Sequence, residues 1–213
     1  ETLEALKGKK IGVVVVGGSN EFHARLHFTD EGMPANSATY VSLGLSNSML
    51  MALEKGTVDA VVFFGTAQDV AVAKKLGVIV SDTRKSSSKD NPVPKTFLAL
   101  APTSLAWAAQ ESFIQKNPET VQRFKDAMTE ASAWIRDPSN RTKLYELMKD
   151  QLVMPADLPG TDKVFRESID TYAAMTSSAL SRDALKAYID FTVAARDVKA
   201  NVTVDDLIWE GRK

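Results

Sequence analysis

Residues 11–16, Ile-Gly-Val-Val-Val-Val, form an almost unbroken β-branched run, too short to cross a membrane and patterned for a strand buried on both faces of a parallel sheet. Gly17 and Gly18 end the run, and Ser19 and Asn20 behind them are good N-caps. Phe22 and Leu26 then recur at helical spacing. Strand, glycine turn and helix therefore follow in immediate succession. Such a turn sends the backbone N–H groups of a helix start past the carboxyl end of its strand, where open α/β sheets bind small molecules.

The same order of signals returns twice. Residues 40–45 read as a second strand, and Ser46, Asn47 and Ser48 offer N-caps for a helix carrying Met49, Leu50 and Leu53 that ends at Gly56. Residues 58–64 read as a third strand, which Gly65 and Thr66 turn into a helix containing Val70, Ala73 and Leu76 and ending at Gly77. Residues 78–80 complete the pattern as a fourth strand. Short connections between these units predict right-handed βαβ crossovers and a parallel sheet, so the fold class is α/β.

The stretch 81–95, with three serines in a row, two prolines and mixed charge, is a surface connection and a natural boundary. Residues 96–101 read as one more strand. Beyond Pro102 the periodicity is helical almost throughout: Val121, Phe124, Met128 and Ile135 fall on one stripe behind Pro118, which is preset for a first helical position, and Asp137-Pro138 is the stop. Leu144, Leu147 and Met148 form a second stripe, Phe165, Ile169 and Tyr172 a third, and Leu185, Tyr188, Ile189 and Thr192 a fourth. The division expected is thus 1–95, a complete α/β lobe, and 96–213, a return strand followed by helices. Helices with one apolar stripe must bury it against something, so either these helices bundle together or a sheet is missing.

Composition narrows the function. A net charge of -1 and a pI near 6.2 provide no general attraction to nucleic acid or anionic membranes. Cysteine is absent, which excludes disulfides, thiolate nucleophiles and sulfur-based zinc sites. His23 and His27 stand four apart without an HExxH pattern or a third ligand, and neither a nucleophile-elbow serine nor a phosphate-binding glycine-lysine loop occurs. No cofactor, no metal and no catalytic group is expected. The N-terminal residues do not read as a signal peptide or an anchor.

Several stretches together resemble a known family: LKGKKIGV at 6–13, GGSNEFHARL at 17–26, ALEKGTVDAVV at 52–62, KNPETVQRF at 116–124 and VTVDDLIW at 202–209. In this order and spacing they resemble the solute-binding proteins of ABC importers in the nitrate, sulfonate and taurine group. The resemblance implies a bilobal, periplasmic-binding-protein-like fold of type II, with the ligand clamped between lobes and delivered to a membrane permease. It implies a periplasmic or extracytoplasmic location and no enzymatic activity. The alternative is an enzyme on the same fold, of the desulfinase or thiamine-pyrimidine synthase kind, which the absence of cysteine disfavours. It implies further that the opening strands of the first lobe are not in this chain. Exposed stripes would then make the chain self-associate, or a missing N-terminal fragment would cover them.

Under this reading the candidate ligand-binding residues are Gly18, Ser19, Asn20 and His23 on the first turn and helix, Asn47 and Ser48 on the second turn, and Phe64 and Thr66 on the third. Simple helix capping accounts for the polar residues too, and histidines on helices are commonly packing groups. Phe63 and Phe64 alternate faces, so one belongs to the core and the other to a cleft wall. No Arg or Lys stands at the three turns, which points to a monoanion or a neutral polar compound rather than a doubly charged phosphate.

Overall fold

Three short parallel strands, β1 (Lys10–Val13), β2 (Thr39–Ser42) and β3 (Ala60–Val61), form a sheet in the order β2-β1-β3 in the computed structural model, which describes residues 2–89, 91–95, 106–196 and 201–209. Ile11 stands opposite Tyr40 on one side and Ala60 on the other, and Val13 stands opposite Ser42. The central strand is buried from Ile11 to Val13. A side chain at Gly12 would run into Leu43 and come within 3.0 Å of Val61 Cγ1, so the middle of the sheet is closed by the neighbours' own side chains.

All three strands are shorter than the apolar runs that announce them. β1 stops at Val13, although two more bonds continue its pairing with the β2 side, Leu43 N–H to Val13 O at 2.9 Å and Gly44 N–H to Val14 O at 3.0 Å. On the β3 side the ladder ends with Val62 N–H to Gly12 O at 3.0 Å. The expected fourth strand at 78–80 does not form. Val78 is 64% exposed and Ile79 38% exposed, and among the described residues this β-branched run has no strand to pair with, so it is irregular. The strand expected at 96–101 lies outside the described residues.

The crossover helices are α1 (Ser19–Asp30), α2 (Ser46–Glu54) and α3 (Ala67–Ala73). Each ends in the same two-bond C-terminal motif. In α1, Gly32 takes the left-handed conformation at φ +73°, its N–H bonds Thr29 O, and Met33 N–H bonds Phe28 O. α2 repeats this with Gly56. In α3 the expected glycine, Gly77, is bypassed: the left-handed residue is Lys75 at φ +58°, with Lys75 N–H on Val72 O and Leu76 N–H on Ala71 O, both at 2.9 Å. A side chain in that conformation costs energy that glycine does not. Lys75→Gly is therefore expected to stabilise the protein by about 0.5–1 kcal/mol, read as an increased denaturant midpoint at unchanged slope.

The chain divides into two units, one comprising Glu1–Phe97 with Leu147–Thr171 and the other Leu98–Glu146 with Tyr172–Lys213. The sheet, α1, α2 and α3 all belong to the first. α1 is buried at Phe22 and Leu26, and again at Ala24 and Phe28. At 100° per residue these pairs lie on nearly opposite sides of the helix, so α1 is covered on two faces. The described helices beyond the sheet are α4 (Glu111–Lys116), α5 (Pro118–Arg136), α6 (Arg141–Met148), α7 (Thr161–Met175), α8 (Arg182–Arg196) and α9 (Val204–Leu207). Pro118 occupies the start of α5 and Asp137 its extended C-cap, as the sequence pattern predicts. Of α5 only Ser132 is buried, and Phe124 is 45% exposed with Trp107 edge-on at 5.3 Å. On α7 the third stripe is better covered, with Ile169 buried.

Candidate functional site

Because the three strands are parallel and adjacent, the residues that follow them leave the sheet along one edge. After β1 the chain turns quickly. Val16 N–H donates to Ser42 Oγ at 2.8 Å, and Gly18 N–H closes a turn on Val15 O at 3.0 Å. The N-cap of α1 is Gly18, extended at φ -88°, ψ 178° and without a side-chain bond, rather than Ser19 or Asn20. The turn requires it: a Cβ at Gly18 would lie 2.7 Å from Val15 Cγ1 and 3.0 Å from Val15 O.

Ser19 is exposed at this edge. Asn20 is buried, and its Nδ2 donates to Val62 O at 3.0 Å, tying the start of α1 to the end of β3. Glu21 also turns inward. Its Oε2 accepts Gly17 N–H at 2.7 Å, while its Oε1 accepts Arg25 Nε at 2.6 Å. Arg25 continues the chain, donating from Nη1 to Ala35 O at 2.9 Å and lying 4.6 Å from the Tyr40 ring centroid. The protein's own carboxylate thus takes an N–H of the glycine turn just ahead of the helix that the sequence marks as an anion cradle. A Glu at the third helical position, reaching back to an N–H ahead of the helix, was the legible signal.

His23 is half-buried one turn along α1. Burial, and next the nearby His27, push its imidazole down to about 4, so it is uncharged at neutral pH. His27 is occupied as well: Nδ1 lies 2.8 Å from His23 O and Nε2 2.9 Å from Ser81 Oγ, and the Ser81 hydroxyl donates to Pro92 O at 2.8 Å.

After β2, the N-cap of α2 is Leu45 rather than one of the serines or Asn47. Leu45 O accepts Ser48 N–H at 3.0 Å and Met49 N–H at 3.3 Å, while Asn47 and Ser48 remain exposed. After β3, Phe63 is half-buried and Phe64 is 51% exposed. Gly65 takes φ +69° and Thr66 caps α3 through its carbonyl, which accepts Asp69 N–H and Val70 N–H. Gly18, Ser19, Asn47, Ser48, Phe64 and Thr66 therefore stand at the three turns of one sheet edge, the Asn20 amide is bonded to Val62 O, and His23 lies one turn along α1. Val15, Val16 and Leu45, exposed by 53%, 50% and 77%, are the edge residues that sequence reasoning did not single out. A run of valines longer than its neighbours can pair was the available hint.

Behind the third turn, α3 is held by charge. Arg84 donates to both oxygens of Asp69 at 2.9 Å and to both oxygens of Asp82 at 2.8 and 2.9 Å, and Ser168 Oγ on α7 donates to Asp69 Oδ2 at 2.8 Å. Burial raises the Asp82 carboxyl, but the bonds and charge of Arg84, helped by Lys85, outweigh it and hold Asp82 below the usual carboxylate range.

A family model described as the NMT1-like family matches residues 1–149. The chain belongs to the NMT1-like family. That family lies in the periplasmic-binding-protein-like superfamily of nitrate, sulfonate and taurine binding proteins, and its members are generally non-enzymatic solute-binding components of ABC transporters. Among solved structures, a protein from Bordetella bronchiseptica RB50 is similar with a TM-score of 0.63 at 20% identity, covering 96% of this chain and 60% of that one. The likeness is one of fold, and this NMT1-like chain spans 60% of the length of that relative. No curated protein matches the chain.

Proposed function

We propose that this NMT1-like chain is the extracytoplasmic solute-binding component of an ABC importer, holding a small solute at the carboxyl edge of its sheet and presenting it to a membrane permease. The observation that carries this reading is the convergence of three strand-to-helix turns, all without an ionisable side chain, at one edge. Backbone and hydroxyl groups there can bind a solute bearing at most one negative charge, of which nitrate, taurine and simple sulfonates are the first to try. Binding without turnover fits side chains that hold and orient but include neither a thiolate nor a charged histidine. With the bound solute in hand, Ser19→Ala and Asn47→Ala are each expected to weaken affinity by about 1–2 kcal/mol, the scale of one lost hydrogen bond. Calorimetry showing unchanged affinity in both would remove these turns from the site.

A further inference from the structure

Beside the exposed Ser19, Asn47 and Ser48, the three turns also expose large apolar side chains. Val15 and Val16 follow β1, Leu45 precedes α2 and Phe64 follows β3, and each is about half exposed or more. The sheet's own core residues Ile11, Val13 and Val58 are no more than 4% exposed, whereas these four large apolar side chains are left open where the chain leaves the strands. Strands β2, β1 and β3 are neighbours in that order, so the four residues come from three adjacent turns.

Charge supplies the second constraint. Residues 14–20, 42–48 and 62–68 contain no ionisable side chain. The next ionisable groups in the chain after the first and third turns are Glu21 and Asp69, both carboxylates and both engaged, Glu21 with Gly17 N–H and Arg25, Asp69 with Arg84 and Ser168. An anion arriving at the edge would find no cation in any turn, and at the start of α1 it would meet the like charge of Glu21, whose carboxylate already accepts the Gly17 N–H just ahead of the helix. A cation would find carboxylates already neutralised. The edge is complementary to an uncharged molecule.

Size supplies the third. Four partly exposed side chains fall well short of the roughly 800 Å² per partner that a stable protein interface buries. They suit a ring or a short branched chain.

Resting on the solute-binding reading above, we infer that the solute held at this edge is an uncharged small molecule with an apolar body, packed on Val15, Val16, Leu45 and Phe64 and carrying one polar end toward the turns. This departs from the small inorganic or sulfonate anion that the family resemblance suggests.

Four probes separate the terms: benzamide, with a ring and no charge; benzenesulfonate, with the same ring and a charge; and taurine and nitrate, charged and without an apolar body. Each is titrated into the ¹⁵N-labelled 213-residue chain and followed by amide shifts at Gly17, Gly18, Gly44 and Gly65. Benzamide is expected to shift these glycines with an affinity at least fivefold better than benzenesulfonate, and the double variant Leu45→Ser/Phe64→Ala to weaken benzamide at least fivefold while its dispersed spectrum shows an intact fold. Benzenesulfonate, taurine or nitrate binding these turns more tightly than benzamide would overturn the inference while leaving the solute-binding reading in place. Shifts that persist unchanged in the double variant would overturn it by placing the ring elsewhere. No shift with any of the four at 10-fold or greater excess over the protein, up to the solubility of each, would reject both.

Discussion

Replacing Arg84 with leucine is expected to destabilise the protein by about 3–5 kcal/mol, the range for removing one partner of a buried ion pair. The Arg84 and Asp82 side chains are 8% and 6% exposed, and Asp69 is 22% exposed. Without the guanidinium, two carboxylates face each other across the loop 81–95 and the start of α3 with little water to screen them. The effect should depend on pH in a defined direction. Asp82 is depressed in the folded protein, so its contribution in the wild type is present above the ordinary carboxylate value and is lost as pH falls through the folded value. In Arg84→Leu the same buried carboxyl keeps only the largely exposed Lys85, 3.6 Å away, and its pKa moves up, so acid relieves the penalty. The gap in stability between wild type and variant should narrow from pH 7 to pH 3.5. Denaturant unfolding at both values measures it, and a gap that widens in acid would refute the assignment.

Phe28→Ala should cost a comparable amount, about 3–5 kcal/mol. Phe28 is 0% exposed and lies on the face of α1 that also buries Ala24, opposite the pair Phe22 and Leu26. Its loss leaves a cavity between α1 and its cover and loosens the segment where Met33 N–H bonds Phe28 O at 2.8 Å. Equilibrium unfolding gives the magnitude. Hydrogen exchange gives the location: protection should fall first along α1, whose other end carries the Gly18 turn, and protection that falls instead in the helices of the second unit would show that Phe28 is not the centre of this core.

Much of the architecture was legible because it is written in short-range chemistry. A β-branched run followed by glycine and then by helical spacing specifies strand, turn and helix within about twenty residues, and all three such units appear with their helices starting within a residue or two of the expected caps. Gly32 and Gly56 end their helices as glycine does in the left-handed position. Pro118 and Asp137 bracket α5 for equally local reasons. The three turns that make up the candidate site were found by the same logic.

What the sequence left open depended on neighbours distant in the chain. Residues 78–80 carry the propensity of a strand but pair with none of the described strands, Val78 and Ile79 lie exposed, and Lys75 rather than Gly77 closes α3. Asn20 has the chemistry of an N-cap or a ligand group, but Val62 O, 42 positions away, takes its side chain. Glu21 reads as an ordinary surface acid until the fold buries it against Gly17 and Arg25, where it takes an N–H of a turn expected to cradle an outside anion. Phe63 and Phe64 were indistinguishable by alternation, and the shortness of β3, two residues long, decided that Phe64 faces out. By itself the sequence determined which segments turn and where, because φ/ψ preferences and capping act over a few residues. Only the tertiary structure decided which polar groups the turns still offer to a solute and which apolar ones they expose, because pairing and burial are settled between segments that the chain brings together from far apart.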